Sequence, residues 1–493
     1  MGMGSCGLCH IRLIKGDVNP PTETEKVHLN QKELEKDMRL ACQIHPRGDL
    51  EIVILSPAKR QLWTALQVEK DWRQLAPPAT SVEKASSDVV NPYGAAVDIG
   101  TTHITISLSS LNHAIRIAGR YGINPQMSYG TDIMTRLIEA NKDGKTAEKM
   151  RTLLFDAIAD ALLDISGKEG INLHQVNRLM VVGNTAMLAL LSGKNYDRLL
   201  KPGNWMTYID CLPEDTSNWR FLLGIHHQAS IEVIPPLAGF VGSDLLSGVI
   251  YTEMTKDHAK KLLIDFGTNS EIALWDGRQL KVTSAAGGPA FEGSGLSCGY
   301  PAEPGGINAF RFDNNTIDFS IIGDVEPRGI CGSGIIDLIA GLIANGRLNK
   351  LGQLTDSVGA FTISKGQPPI ALSKGDVDIV QRAKSAVATG IRVLLMDSGI
   401  DYRELDKVLI SGAFGSFLNV DNAKSIGLLP PLDNDHFELT GNTALKGCEL
   451  LLSSPKAYDS VIRTRDEAAM INLSKTPDFD RFFLENLYLQ PMN

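Results

Sequence analysis

The chain has 493 residues, of which 43% are hydrophobic and 21% are charged, and its net charge is -9. A chain of this length is too long for one hydrophobic core and indicates about three domains. The acidic balance and the lack of a basic stripe argue against nucleic acid as the main partner. No apolar run approaches the ~18 residues that a membrane span needs, and no signal peptide is evident, so we expect a cytoplasmic protein without a membrane partner.

Three cysteines mark the N-terminal segment. Cys6 and Cys9 form a C-x-x-C pair in a glycine-rich loop that leads into a predicted strand, and Cys42 precedes another strand. This spacing resembles that of plant-type 2Fe–2S ferredoxins, which implies that the three thiolates are iron ligands. The first cysteine of that pattern would fall at about the start of the chain, so we expect the chain to begin inside the cluster loop and its cluster to be unstable or absent. A zinc site would also lack a ligand, for which His10 is the nearby candidate, and buried apolar cysteines are the third interpretation.

Residues 1–56 are therefore predicted to form a truncated ferredoxin-like domain, followed by a helix and linker in residues 57–92. Ser56 and Pro57 are typical of a helix start, and Leu62, Leu66 and Trp72 fall on roughly one helical face. The polar stretch that follows is bounded by prolines, which favours a tether between the small domain and the rest of the chain.

Two later stretches resemble each other, GAAVDIGTTHITISL at 94–108 and LLIDFGTNSEIAL at 262–274. Each is an apolar run ending in Asp, then a turn, then an alternating run, which predicts a β-hairpin with a hydroxyl-rich tip. Glycine lets the tip backbone approach a ligand, and the neighbouring side chains add donors that suit phosphate. The predicted tip residues are Gly100, Thr101, Thr102, Gly267, Thr268 and Asn269. Asp98 and Asp265 at the strand ends are expected to hold a hydrated Mg²⁺.

Each hairpin is followed by a buried strand that runs into a glycine turn and a helix, RLMVVGNTAMLALL at 178–191 and KVLISGAFGSFLN at 407–419. Such turns can lie against a nucleotide that faces the helix N-terminus. The repeat predicts two related α/β halves, residues 93–255 and 256–493, with ligand in the cleft between them. The predicted turn residues are Gly183, Asn184, Ser411, Gly412, Ala413, Phe414 and Gly415.

The order DxGT, DxGT, GAFG resembles the acetate and sugar kinase, Hsp70 and actin (ASKHA) superfamily. The resemblance implies an α/β fold with a duplicated RNase H-like ATPase core that embraces Mg·ATP, here preceded by a small α+β ferredoxin-like domain. Further stretches in order, among them FVGSD, DFGTNSE, GPAFEG, GICGSG and SGAFGSFL, closely resemble the reductive activators of corrinoid proteins over nearly the whole chain.

That second resemblance implies an ATP hydrolase coupled to iron–sulfur electron transfer. It would return the corrinoid cofactor of a methyltransferase corrinoid protein from Co(II) to Co(I), using a low-potential electron donor, and a homodimer stays open. Asp98 and Asp265 would position Mg²⁺ and water, and Glu271 or Glu292 would orient the attacking water. Because side chains alternate along a strand, Glu271 could instead face solvent. Asp244 is either a cleft residue or a first-turn helix residue.

Three alternatives use the same fold. A small-molecule kinase would keep the ATP residues but has no use for an N-terminal cluster. An activator of the 2-hydroxyacyl-CoA dehydratase type would bind a 4Fe–4S cluster between two subunits through a cysteine at a helix N-terminus, for which Cys331 is the candidate. An actin-like or chaperone-like protein would use the cleft only to switch conformation. The N-terminal cysteines argue for the corrinoid activator.

Overall fold

A computed structural model describes residues 10–29, 31–41, 43–54, 63–66, 92–313, 316–355, 359–364, 369–412, 414 and 417–492. Five of the predicted site residues lie outside the described residues: Cys6, Cys9, Cys42, Ala413 and Gly415.

The N-terminal domain is a small α+β unit built on a three-stranded antiparallel sheet in the order β2-β1-β3. A buried ion pair fastens its first helix to the sheet, because Arg39 Nε and Nη2 donate to the Glu25 carboxylate at 2.9 and 2.8 Å. Its elements are β1 (His10–Lys15), α1 (Glu23–His28), α2 (Gln31–Leu34), β2 (Met38–Leu40) and β3 (Glu51–Ile54).

The helix predicted after Ser56 is wrong for residues 63–66, and the rest of that helix and the predicted linker, at 55–62 and 67–91, lie outside the described residues. Trp63 to Leu66 is extended and contains a short strand, β4 (Thr64–Ala65), whose residues pair antiparallel with Tyr121 and Arg120. The spacing of the apolar residues suggested a helix, but an open sheet edge supplies backbone partners that no local pattern reveals.

The first half holds one mixed sheet in the order β4-β7-β6-β5-β8-β9, in which β5, β8 and β9 run parallel. One face packs on α4, which Asp143 caps at its N-terminus and Gly170 ends in a left-handed conformation. The apolar stripe of that helix is buried at Met150, Leu154, Ala157, Ile158, Ala161, Leu162 and Ile165. The elements are β5 (Tyr93–Ile99), β6 (His103–Ser110), β7 (Ile115–Ile123), α3 (Ile133–Ala140), α4 (Gly144–Glu169), β8 (Val176–Gly183), α5 (Thr185–Ser192), α6 (Ser217–Leu223), β9 (Ser230–Val233) and α7 (Ser243–Tyr251).

The second half repeats this arrangement in a sheet ordered β19-β18-β10-β11-β12-β20, with β10, β18 and β19 parallel. Two smaller sheets and a C-terminal helical segment are added to it. The elements are β10 (Lys261–Phe266), β11 (Ser270–Trp275), β12 (Leu280–Ala285), β13 (Gly306–Asp313), β14 (Thr316–Ile321), β15 (Gly329–Ile330), α8 (Gly332–Ala344), β16 (Ala360–Ser364), β17 (Ile370–Ser373), α9 (Lys374–Ser398), β18 (Lys407–Gly412), α10 (Val420–Ser425), β19 (Phe437–Gly441), α11 (Thr443–Ser453), α12 (Pro455–Glu467), β20 (Ala469–Met470) and α13 (Phe479–Asn486).

The two halves meet through α7 and α11, which cross closely because small residues lie at the contact. A Cβ on Gly248 would lie 2.7 Å from Thr443 Oγ1, and one on Gly447 would overlap the Ser247 carbonyl oxygen. An apolar cluster from both sheets and both helices surrounds this crossing. The duplicated strand order confirms the predicted fold class. Within the described part of the chain, none of the helices is both long and apolar enough to cross a membrane.

Candidate active site

The two predicted hairpins form and their tips face each other. The first joins β5 to β6 and closes with Gly100 N–H donating to the His103 carbonyl at 2.9 Å. The second joins β10 to β11, where Gly267 N–H donates to the Asn269 carbonyl at 3.0 Å. Thr102 Oγ1 of the first half lies 2.9 Å from Thr268 Oγ1 of the second. The two repeats therefore contribute to one site.

Glu292 joins the two tips. Its Oε2 accepts hydrogen bonds from Thr268 Oγ1 at 2.8 Å and from Thr102 Oγ1 at 3.1 Å. The residue ends a short turn after β12, where Gly293 takes a left-handed conformation with φ +73°. Burial raises the pKa of Glu292, and the two threonine hydroxyls oppose that rise. The glycine-rich loop around it thus contacts both halves at the point where they meet.

A cavity of about 340 Å³ opens around the tips, a size within the range of small-molecule sites. It gathers most of the predicted residues, and none of the described residues that line it is a lysine or an arginine. The predicted residues on its wall are Asp98, Gly100, Thr101, Thr102, Asn184, Asp265, Gly267, Thr268, Asn269, Glu271, Glu292, Gly412 and Phe414.

Acidic side chains dominate the electrostatics of this cavity. Burial, followed by the nearby negative charge of Asp244, raises the pKa of Asp98 to about 8 and that of Asp265 to about 7. Burial raises the pKa of Asp244 itself to about 6. Since like charges this close oppose each other's ionisation, the site favours a bound cation or bound protons.

Glu271 faces the cavity and not bulk solvent, which settles the alternative left open by its strand position. Ser284 Oγ donates to its carboxylate at 3.2 Å. Burial, together with Asp244 and Asp265, raises the pKa of Glu271 well above its usual range. Asp244 also lines the cavity, so its place in the first turn of α7 serves the cleft as well as the helix.

Asn442 is a site residue that the sequence interpretation missed. It caps α11, and its Nδ2 lies 3.4 Å from Asp98 Oδ2, across the boundary between the halves. Asn184 caps α5 in the same way and donates from Nδ2 to Thr101 Oγ1 at 3.0 Å. A signal was present, because Gly-Asn-Thr-Ala occurs twice, at 183–186 and at 441–444.

Two predicted nucleotide residues lie behind the cavity wall. Gly183 packs on the Ile99 backbone, and Ser411 Oγ contacts Thr443 Oγ1 at 2.6 Å and the Gly441 carbonyl oxygen at 3.1 Å. Gly412 lies at the wall with φ +88°, and a Cβ there would overlap Asp265. These residues therefore shape the wall without exposing a hydroxyl to the cavity.

Phe414 is almost fully buried although part of it reaches the cavity wall. Its ring packs against Phe266 at 4.8 Å and Phe291 at 5.4 Å between centroids. It therefore fixes the turn after β18 to the second hairpin and to the loop of Glu292. Phe417, three residues later, is 57% exposed and lines the cavity as well.

In the described part of the chain, no three histidine, cysteine, aspartate or glutamate side chains converge as a direct metal cage. Mg²⁺ keeps most of its waters and needs only one or two carboxylates, so the pair Asp98 and Asp265 fits such an ion.

Cys331 lies at the N-terminus of α8 and donates from Sγ to the Ile307 carbonyl at 3.2 Å.

The chain matches three protein-family descriptions that together span most of its length. Residues 259–493 match the C-terminal domain of RACo, the ASKHA domain, and residues 93–257 match the RACo middle region. Residues 2–47 match the 2Fe–2S iron-sulfur cluster binding domain. The corrinoid activation enzyme RamQ of Eubacterium limosum is 30% identical over 420 residues, which cover 80% of this chain and 70% of that protein. The chain belongs to the family of corrinoid activation enzymes.

One further relative agrees with this assignment, and a solved structure shares the fold. The reductase of the Co(II) methylated amine-specific corrinoid protein of Methanosarcina barkeri is 25% identical over 428 residues, covering 80% of this chain and 76% of that protein. A solved structure titled reductive activator for corrinoid, iron-sulfur protein superposes with a TM-score of 0.73 and 23% identity. It covers all of this chain and 93% of that one, which shows a shared fold. The predicted family, the reductive activators of corrinoid proteins, is confirmed.

Proposed function

We propose that the chain is an ATP-dependent reductive activator that returns the corrinoid cofactor of a methyltransferase corrinoid protein from Co(II) to Co(I). The carrying observation is the cavity in which both hydroxyl-rich tips meet and which six carboxylates line, in a chain whose N-terminal segment matches an iron-sulfur domain. A phosphate chain needs donors, which the tips offer, and a cation, which the carboxylates attract. The iron-sulfur family match and the relatives' names support electron transfer to a corrinoid protein.

The reaction balances with one electron and one hydrolysis. Cys6, Cys9 and Cys42 would supply three of the ligands of a 2Fe–2S cluster, which would carry one electron from a low-potential donor to Co(II). Hydrolysis converts ATP and water to ADP and phosphate in the cleft. Hydrolysis can drive the corrinoid protein's binding and release only if that protein binds the closed and the open cleft with different affinities.

Each cavity residue receives a role from its contacts. Thr101, Thr102, Thr268 and Asn269 would contact phosphate oxygens. Asp98 and Asp265 would hold a hydrated Mg²⁺, which would neutralise phosphate charge. Glu271, whose carboxylate accepts a hydrogen bond from Ser284 Oγ, orients the attacking water. Glu292 couples the two tips, because both of its contacts are tip threonines from different halves. Glu271→Gln should therefore stop hydrolysis while ATP still binds, whereas Glu292→Gln should weaken ATP binding as well.

The test follows the visible spectrum of a Co(II) corrinoid protein mixed with this chain, a chemical reductant of low potential and ATP. Co(I) should accumulate with ATP and not with a non-hydrolysable analogue. Asp265→Asn, which keeps the side-chain shape, serves as the matched control and should leave the corrinoid oxidised. Equal reduction without ATP would disprove the coupling. Phosphorylation of a sugar or an acid, with no corrinoid response, would favour the small-molecule kinase.

A further inference from the structure

Four residues between the N-terminal domain and the ATPase core are fastened to the core. We call Trp63–Leu66 the anchor segment. Trp63 is only 8% exposed, and its Nε1 donates to Asp160 Oδ2 of α4 at 2.9 Å. Thr64 and Ala65 add a strand to the edge of β7, and Leu66 N–H donates to the Gly119 carbonyl at 3.0 Å. The segment is therefore held by a buried ring, a side-chain hydrogen bond and sheet pairing.

Gly119 in β7 has no side chain, and this makes room for the end of the anchor segment. Leu66 lies over Gly119, where a Cβ would come within 2.5 Å of Leu66 Cδ1. The Leu66 side chain also lines the cavity between the two halves, beside Tyr121, the strand partner of Thr64. The connection from the N-terminal domain thus reaches the wall of the proposed ATP site.

The anchor segment changes how far the N-terminal domain can lie from the core. Eight residues, 55–62, separate Ile54 from Trp63, whereas 37 residues, 55–91, separate Ile54 from Pro92. At ~3.5 Å per residue, the first chain spans at most about 30 Å and the second about 130 Å. Attachment at Trp63 therefore excludes most of the separations that the covalent chain alone would allow.

We propose that Trp63 and Leu66 are positioning residues that keep the iron-sulfur domain beside the first half of the ATPase core. The electron-transfer part of this proposal rests on the proposed function; the positioning itself does not. Effective concentration falls as about the −3/2 power of linker length, so release of the anchor segment lowers the encounter of the two parts about tenfold. The rate of electron transfer to the corrinoid then falls, whereas the residues proposed for ATP hydrolysis are unchanged.

The first test measures position and needs no corrinoid. Trp63→Ala removes the buried ring, and Asp160→Ala removes only the acceptor of its N–H, on an exposed helix position that tolerates substitution. Trp275→Ala is the matched control, because Trp275 Nε1 also donates to a protein oxygen, the Asp257 carbonyl at 2.7 Å, on the other half. The two anchor variants should speed hydrogen exchange at the Leu66 amide and enlarge the radius of gyration in small-angle scattering of the full chain. Rapid exchange at Leu66 with unchanged scattering would overturn the proposal.

The second test measures electron delivery. With ATP and reductant present, both anchor variants should hydrolyse ATP at the control rate and reduce the corrinoid protein about tenfold more slowly, as the effective-concentration argument requires. Trp63→Phe, which restores the buried ring, should recover most of the reduction rate. Undiminished reduction by a chain whose anchor segment is released refutes the inference. Failure of the wild-type chain to reduce any corrinoid protein is a different result, which removes the proposed function while the scattering test still decides the positioning.

Discussion

Asp244→Asn tests whether negative charge in the cavity destabilises the ligand-free protein. Among neighbouring charges, that of Asp244 raises the pKa values of Asp98 and Asp265 the most. Burial raises the pKa of Asp244 itself to about 6. An aspartate in an unfolded chain titrates near ~3.9. Because the folded-state pKa is the higher one, the protein is most stabilised by this proton below about pH 4 and loses that stability as the pH rises through about 6.

The size of the effect follows from the two pKa values. A difference of about 2 units corresponds to about 3 kcal/mol at pH 8, and to less than about 1 kcal/mol near pH 4. Water in the cavity screens part of this, and the lost attraction between a first-turn carboxylate and the α7 dipole costs about 0.3–1 kcal/mol. Asparagine still accepts from the Leu245 N–H, which Asp244 Oδ1 accepts at 2.9 Å. We therefore expect Asp244→Asn to stabilise the ligand-free protein by about 1–2 kcal/mol at pH 8 and hardly at all at pH 4.

Urea unfolding of the ligand-free chain at pH 4, 6 and 8 measures this difference. Asp318→Asn, on the exposed strand β14, is the matched control and should show no pH-dependent gain. The same Asp244 variant should bind Mg·ATP more weakly, because it removes charge that attracts the cation. Equal stabilisation at pH 4 and pH 8, or destabilisation at pH 8, would refute the electrostatic reasoning.

Three other changes separate the parts of the site. Asp265→Asn should lower ATP hydrolysis by about 100-fold, as loss of metal positioning does, without lowering the melting temperature; an unaltered hydrolysis rate would show that Asp265 is not a metal ligand. Thr102→Val removes the hydroxyl that contacts Thr268 and Glu292, so the ligand-free protein should lose about 1–3 kcal/mol in urea unfolding and bind ATP more weakly in calorimetry. Cys42→Ser should lower bound iron and visible absorbance while ATP hydrolysis continues, and full iron content in that variant would exclude Cys42 as a ligand.

The hairpin tips could be predicted because their signals are local. An apolar run, an aspartate, a glycine turn and hydroxyl residues lie within about ten positions, and the repeat made the pattern specific. The positions of Asp244 and Asn442 at the cavity are less evident from the sequence, although Asn442 belongs to a repeated Gly-Asn-Thr-Ala. Each lies at the start of a helix, where capping explains an acid or an amide equally well, and only the crossing of α7 and α11 brings both to the cavity.

The anchor segment shows the opposite error, in which a local pattern predicted the wrong element. Apolar residues at helical spacing suggested a helix through Leu66, yet Trp63–Leu66 is extended along β7. The residues that decide this conformation lie more than 50 positions later in the chain. They are the open edge of β7, Gly119 under Leu66, and Asp160. Strand addition depends on such distant partners, so periodicity within the segment could not reveal it.

The distribution of carboxylates between the halves links ligand binding to closure of the cleft. Asp98 belongs to the first half and Asp265 to the second, and the charge of Asp265 raises the pKa of Asp98. Closing the ligand-free cleft therefore brings like charges together, which the contacts of Thr102 with Thr268 and Glu292 oppose. A cation and phosphates between the tips would reverse the sign of that interaction, so we expect Mg·ATP to bind a closed cleft more strongly than an open one. This difference in affinity is what a nucleotide needs to shift the conformation, and its loss on hydrolysis gives the partner protein a route to release.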